Sequence, residues 1–181
     1  MGVERDTVDL NIDQWQKELP DLDRGVEGVV SRIQKLARYL DKAYGEIAHV
    51  FGLTLGELEV LTSLRLCGTP HQLSPTALSE RLMISSGAMT NRLDKLERAG
   101  FIERAPDPND RRGVIVRLTD EGEKRFREAI SIQIEKEKKL INVLNGEQRE
   151  QLQSLLRLLM LTFEAALGTP VTRGAVSEDA I

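Results

Sequence analysis

The chain is poor in cysteine, histidine and aromatic residues, and each shortage excludes a class of protein. A single cysteine, Cys67, among 181 residues excludes an internal disulfide framework. That cysteine and two distant histidines, His49 and His71, do not make a structural metal site. Aromatic residues make up only 4% of the chain, so the core must rest on leucine, isoleucine and valine.

Long hydrophobic runs are also missing. No apolar run approaches the ~20 residues that cross a bilayer. The N-terminal stretch MGVERDTVDL carries acids and lacks the apolar segment of a signal peptide. We therefore expect a cytoplasmic globular protein with no membrane partner and with no metal or other cofactor.

Motifs of catalysis are absent as well. The chain has no P-loop, no Gly-rich dinucleotide-binding turn and no Ser/His/Asp set in a supporting context. The chain contains only two histidines, so it offers few side chains for acid–base catalysis near neutral pH. We expect that the protein is not an enzyme.

The net charge of −4 and the pI of about 5.4 argue weakly against a nucleic-acid partner. This average hides an asymmetry. Residues 1–28 hold eight acids and three bases, whereas residues 81–117 hold eight bases and five acids. A local basic surface is what phosphate contact requires, so the second segment is a candidate for DNA binding.

Hydrophobic periodicity predicts a mainly helical chain. A short first helix carries one apolar face and ends before Pro20; that face comprises Val8, Ile12, Trp15 and Leu19. A long second helix follows from about 24 to 51. Thr54 and Glu57 have capping-box spacing and begin a third helix. Two further helices are predicted after Thr119, to about Leu144, and from a capping pair of Asn145 and Gln148 to about Leu167.

Residues 74–118 have the layout of a winged helix-turn-helix. Ser74-Pro75 is typical of a helix start and predicts a short helix to Leu82; Ser85 begins a longer one that ends near Gly100. Two strand-like runs, 101–104 and 114–118, flank a turn of Pro, Asn and Asp residues. The pattern predicts two helices joined by a tight turn, followed by a β-hairpin.

The helix after Ser85 has an apolar and a polar side. Met89, Leu93 and Leu96 form the apolar stripe. The other side has amide, hydroxyl, small and basic groups, which suit a major groove and its phosphates. Asp94 also lies on this side. We predict that the residues of this side that contact DNA are Ser85, Ser86, Gly87, Thr90, Asn91, Lys95 and Arg98. The alternative is an ordinary solvated helix face.

The hairpin places Arg111 and Arg112 on a turn, where an arginine can enter the narrow minor groove. We predict that at least one of the neighbouring acids, Asp107 and Asp110, forms an ion pair that holds an arginine in one pose. The alternative is a surface turn whose ion pair is worth less than about 1 kcal/mol.

The stretches LTLGELEVL and LSPTALSERLMISSGAMTNRLDKLERAGFIERAPDPNDRRGVIVRLTDEGE, with their flanking long helices, resemble the MarR family of winged helix-turn-helix regulators over about residues 24–166. The wing motif DPNDRRG followed by LTDEG is specific to that pattern. The resemblance implies a homodimer that binds a pseudo-palindromic double-stranded DNA operator and is released by a small ligand. We expect it to act as a repressor.

The resemblance also implies a division of the chain. Residues 1–23 form an N-terminal extension with a short helix, and residues 54–118 form the DNA-binding lobe. Residues 24–53 and 119–167 form an interlocking helical dimerisation region. Residues 168–181 lack periodicity and are expected to be a disordered tail.

The added first helix is similar to that of a urate- or aconitate-responsive subgroup. The resemblance implies an anion site made by Trp15, Glu59, Arg92 and Arg104, although the acid in that subgroup is usually Asp. Independently, Arg92 lies beside the apolar stripe and away from the groove side of its helix. Plain packing of Trp15 and a structural ion pair of Arg92 with Glu59 or Glu97 are the alternatives.

The sequence does not determine the identity of the ligand. An anionic metabolite such as urate, trans-aconitate or citrate fits an arginine pair beside a tryptophan. The alternatives are a MarR-type regulator of a phenolic or antibiotic-like ligand and a helical dimer that does not bind DNA. For Cys67 we favour a small buried hydrophobe over a redox sensor.

Overall fold

A computed structural model describes residues 4–108 and 110–167, with the backbone alone for Arg111 and Leu167. The proposed tail 168–181 and Asn109 of the wing turn lie outside the described residues. The elements in chain order are α1 Thr7–Glu18, α2 Arg24–Val50, α3 Leu55–Leu66, β1 Gln72–Leu73, α4 Pro75–Arg81, α5 Ser86–Arg98, β2 Ile102–Asp107, β3 Asp110–Leu118, α6 Asp120–Ile141 and α7 Gly146–Leu167.

The predicted mainly helical fold with a small β wing is confirmed, and its helix starts follow from local side-chain caps. Thr54 and Glu57 form the reciprocal capping box at the start of α3. Asn145 and Gln148 exchange two hydrogen bonds of 2.9 Å at the start of α7. Ser85 accepts a hydrogen bond from the Ala88 backbone N–H and caps α5.

The sheet has three antiparallel strands in the order β1-β3-β2. The predicted hairpin is present, with Ile102 opposite Leu118 and Pro106 opposite Val114, and a register shift follows Pro106. Strand β1, which pairs with β3 through Gln72 and Leu73, was not predicted from the sequence. Two residues are too few to show the period of a strand.

The core lies within the winged-helix region. Fully buried side chains come from α3, α4, α5 and the sheet, and they include Leu61, Leu64, Leu78, Met89, Leu93, Leu96, Ile102 and Val116. The end of α2 and the start of α6 contribute Ile47, Ala48, Phe126 and Ala129 to the same cluster. This packing buries one side of α5, and the other side of the helix stays accessible to solvent.

Helix α1 is held on α2 by a short apolar contact and an ionic network. Val8 and Ile12 are buried, and a Cβ added at Gly28 would lie 3.7 Å from Ile12 Cδ1. Arg32 donates to Asp6 at 2.9 Å and to Asp9 at 2.7 Å. The hydrogen bonds from Arg32 lower the pKa of both carboxyl groups.

Only half of the predicted apolar face of α1 is buried. Trp15 is 53% exposed and Leu19 is 51% exposed in the single chain. The helix ends at Glu18, so Leu19 lies beyond it. The spacing of apolar residues identified the face but not how far its contact with α2 extends.

The described residues divide into one compact unit that ends at Gln133 and another that begins at Ile134. The second unit contains the end of α6 and the whole of α7, whose Leu155 and Leu158 are more than 60% exposed. In the first unit, Val26 on α2 is equally exposed. Within the described ranges no single helix is long and apolar enough to span a membrane; α2 and α3 meet that test only when taken together, across a bend of 86°.

Candidate nucleic-acid interface

Helices α4 and α5 are joined by a tight turn. The backbone N–H of Ile84 donates to the Ser79 carbonyl at 3.0 Å, and Met83 adopts a left-handed conformation with φ of 51°. A methionine is uncommon in that conformation, so the turn holds it there at some cost. The turn places the start of α5 clear of α4.

The outward side of α5 carries the polar residues that the sequence analysis selected. Ser85, Ser86, Gly87, Thr90, Asn91, Lys95 and Arg98 are all exposed. Met89, Leu93 and Leu96, on the opposite side, are each 1% exposed. The free N–H groups of the first turn and these side chains thus share one accessible surface, which we call the α5 surface.

Two members of the α5 surface are positioned by their own helix. The Thr90 hydroxyl donates to the Ser86 carbonyl at 2.9 Å. The Arg98 Nε donates to the Asp94 carbonyl at 3.1 Å. Lys95 lies 3.9 Å from Glu57, an acid buried at the start of α3.

The helical period places Asp94 on the same side as the α5 surface, but Asp94 does not belong to that surface. It is half-buried, and its Oδ1 accepts a hydrogen bond of 2.7 Å from Arg104 Nη2 at the base of the wing. Arg104 also donates to Glu97 through Nη1 and, at 3.3 Å, through its backbone N–H. We call this group of Arg104, Asp94 and Glu97 the wing clamp, because it ties β2 to α5.

Burial alone would lower the pKa of Arg104, but the hydrogen bonds that it donates to Asp94 and Glu97 outweigh burial, so the pKa is raised. Arg104 therefore stays a cation with two acids of its own. Of the two acids weighed as partners for Arg92 in the sequence, Glu97 pairs with Arg104 instead.

The wing turn is held by Asp110. Its Oδ1 accepts a hydrogen bond of 2.9 Å from the backbone N–H of Arg112. At Gly113 an added Cβ would lie 2.9 Å from Asp107 Cβ, so the strand needs glycine at this close approach. Arg112 is exposed, and the side chain of Arg111 lies outside the described residues. The ion pair to a wing arginine stays a prediction.

Arg92 lies across the start of α3. Its Nη1 donates to the Gly56 carbonyl and to Glu59 Oε2, each at 3.2 Å. A Cβ added at Gly56 would lie 2.4 Å from the guanidinium carbon, so glycine makes room for the arginine. Sequence reasoning missed Gly56, because a contact between residues 36 positions apart leaves no local signal.

Two of the four residues of the proposed anion site are in contact in the described chain. Arg92 contacts Glu59, and Arg104 belongs to the wing clamp. Trp15 lines a surface groove whose other residues, Asn11, Gln14 and Glu18, all belong to α1. Cys67 is half-buried, and burial raises its thiol pKa, which disfavours the reactive thiolate.

Comparison with known proteins agrees with this architecture. The sequence pattern of the MarR family matches residues 53–114, from just before α3 into β3. The HTH-type transcriptional regulator PecS of Dickeya dadantii (strain 3937) is 32% identical over 145 residues, which cover 80% of this chain and 87% of PecS.

Solved structures extend the comparison to three dimensions. A mutant of MarR from E. coli complexed with operator DNA superposes with a TM-score of 0.65 at 27% identity, covering 77% of this chain and 98% of that chain. AbsC, a MarR family transcriptional regulator from Streptomyces coelicolor, gives a TM-score of 0.67 at 21% identity, covering 77% and 95%. The AbsC match shows the shared fold alone.

Proposed function

The chain belongs to the MarR family of transcriptional regulators, and from this premise we propose that it binds an operator in double-stranded DNA as a homodimer and leaves it when a small ligand binds. The observation that carries the proposal is the α5 surface, which is polar and accessible along a helix whose other side is buried. Regulation of transcription places the protein in the cytoplasm in this proposal, and we expect it to act as a repressor.

In this proposal α5 enters the major groove. Asn91 can pair with adenine and Arg98 with guanine, while the methyl group of the exposed Thr90 can meet thymine. Ser85, Ser86 and the first-turn N–H groups face a phosphate. Arg111 and Arg112 reach the adjacent minor groove. A MarR mutant of the same fold is complexed with operator DNA, which supports DNA binding by this chain.

The apolar side chains that a single chain leaves exposed support a homodimer. On α2, Val26, Val29, Leu36 and Tyr39 are each more than half exposed, and α7 adds Leu155, Leu158 and Phe163. Large apolar side chains left exposed together on a helix are typical of an interface in a folded protein. We therefore assign residues 24–53 and 119–167 to dimerisation, 54–118 to DNA binding and 1–23 to an extension.

A gel shift with DNA from upstream of the gene tests this proposal. Binding of a specific duplex is expected, and R112A should weaken it, as should R111A. R127A is the matched control, because Arg127 is 67% exposed on α6 and lies outside the residues proposed to contact DNA. A folded dimer that binds no upstream DNA would favour the alternative of a helical scaffold, and unchanged affinity in both wing variants would remove the wing from the mechanism.

We propose that the ligand acts through Arg92. A carboxylate or phenolate that takes this guanidinium from Glu59 removes a tie between α3 and the DNA-reading helix. The ligand can then favour one orientation of the lobe over another, which is how binding at one site changes affinity at a second. Arg104 is harder to recruit, because Asp94 and Glu97 already neutralise it.

Two ligand classes fit this account: an anionic metabolite such as urate, trans-aconitate or citrate, and a phenolic or antibiotic-like compound. A thermal-shift screen of both classes separates them. R92A should bind DNA normally and respond weakly to the ligand that stabilises the wild type, whereas loss of DNA binding with normal release would contradict the role of Arg92. W15A tests whether Trp15 contributes to that ligand site or only packs.

A further inference from the structure

Arg125 on α6 lies at the point where three segments of the winged-helix unit meet. Its guanidinium carbon is 5.4 Å from the centre of the Phe101 ring and 6.0 Å from that of Phe51. Phe51 caps the end of α2, and Phe101 follows the last turn of α5. One cation therefore faces two aromatic rings from separate parts of the chain.

The cation is held at a cost. Its Nε is buried and has no hydrogen-bond partner among the described residues. A buried polar group without a partner is unfavourable, and an apolar side chain of similar size would avoid it. The rest of the guanidinium pairs with Glu121 at 3.1 Å and Glu128 at 3.8 Å on the same helix. The two ring faces are the interactions that an apolar replacement could not supply.

The backbone around Phe101 makes this meeting point stiff. The Phe101 N–H donates to the Leu96 carbonyl at 2.9 Å, and the Phe101 carbonyl accepts from Thr119 at 3.1 Å. A Cβ added at Gly122 would lie 1.9 Å from the Phe101 oxygen. The end of α5 thus moves with the start of α6, and Arg125 is the side chain that connects both to the end of α2.

We propose that Arg125 is a positioning residue that sets the angle of α5 against α2 and the first half of α6, and thereby the half-site spacing that the dimer accepts. This inference rests on the proposed function, since spacing has meaning only for a dimer on DNA. In a helix-turn-helix dimer the separation of the two reading helices must match the separation of the half-sites. An angle that is free to vary would admit several spacings.

An operator series tests the inference. The duplex bound by the wild type is compared with versions that carry one or two base pairs inserted or deleted between the half-sites. R125M removes the charge and keeps an apolar chain of similar length, R125K keeps the cation, and R127M is the control on the same helix. We expect R125M to bind the preferred spacing about five- to thirtyfold more weakly, the value of two cation–π contacts. It should also bind the altered spacings as well as the wild type does, while R125K and R127M keep the preference.

Equal weakening at every spacing would overturn the inference, as would unchanged affinity, because the first indicates a general loss of structure and the second no role. If R125M does not fold, F101L must show the weakened preference for one half-site spacing. An unchanged preference in F101L would also overturn the inference. If the wild type binds no DNA, the proposed function fails separately. Hydrogen exchange at the Phe101 amide then decides: faster exchange in R125M than in R127M supports the connection, and equal exchange refutes it.

Discussion

Replacement of Arg104 by methionine removes the wing clamp and should lower both stability and operator affinity. The side chain is 26% exposed and makes two charged hydrogen bonds across the boundary between β2 and α5. Methionine keeps most of the apolar contact and removes the cation. Asp94 and Glu97 are then left three residues apart on one helix with no cation between them.

The expected loss follows from these contacts. A partly exposed ion pair is worth about 0.5–1 kcal/mol, and two such pairs give about 1–2 kcal/mol. Repulsion between like charges three positions apart on a helix adds roughly 0.2–0.5 kcal/mol to this loss of stability. At about 2–4 °C for each kcal/mol in a chain of this length, the Tm should fall by roughly 2–10 °C.

Differential scanning calorimetry of R104M beside R117M measures this loss. Arg117 is the matched control, because it lies on the same sheet and pairs with Glu103 at 2.6 Å, but both side chains are about half exposed. R117M should change the free energy of unfolding by less than about 0.5 kcal/mol. Equal Tm values for the two variants would refute the wing clamp as a structural connection, and triple replacement by R104M, D94N and E97Q should recover part of the loss.

Three further perturbations test separate parts of the fold. G122A should lower the free energy of unfolding by at least about 2 kcal/mol, because the added methyl group would meet the Phe101 backbone. G45A lies on an open helix face and should raise the free energy of unfolding by about 0.5–1 kcal/mol. Equal effects of the two variants in urea unfolding would contradict the close approach of Gly122 to Phe101. M83G should stabilise by about 1 kcal/mol, since glycine tolerates the left-handed turn; a loss of Tm would contradict that strain. The aspartates paired with Arg32 have pKa values lowered below 3.8, so their contribution to docking of α1 is complete above that pH and is lost as pH falls through the lowered values. Fluorescence anisotropy of Trp15 should report this release below about pH 3.8 in the wild type, and R32M should show weaker docking already at neutral pH.

The parts of the fold that the sequence predicted are those determined by neighbours along the chain. A cap such as Thr54 with Glu57 acts over three residues, and the apolar stripe of α5 repeats with the helical period. Such features need no knowledge of the rest of the molecule. The helix-turn-helix and the hairpin followed from them.

The contacts that the sequence could not predict join distant segments. Nothing in the neighbourhood of Gly56 indicates that a guanidinium from α5 covers it, and nothing near Phe51 indicates a cation from α6. Asp94 falls on the groove side of a helical wheel, yet the wing draws it into an ion pair. These interactions depend on how elements pack, which periodicity within one element does not specify.

The central claim, that the α5 surface and the wing bind DNA phosphates and bases, is tested most directly by the salt dependence of operator affinity in fluorescence anisotropy. Lys95, Arg98, Arg111 and Arg112 from each of two lobes would release counterions on binding, so affinity should fall by about 10³–10⁵ between 50 and 200 mM salt. K95A should reduce the slope of log K against log salt by about 2 per dimer, because Lys95 is proposed to meet a phosphate, while R127A leaves it unchanged. An affinity that is insensitive to salt, or equal slopes in K95A and R127A, would contradict the claim.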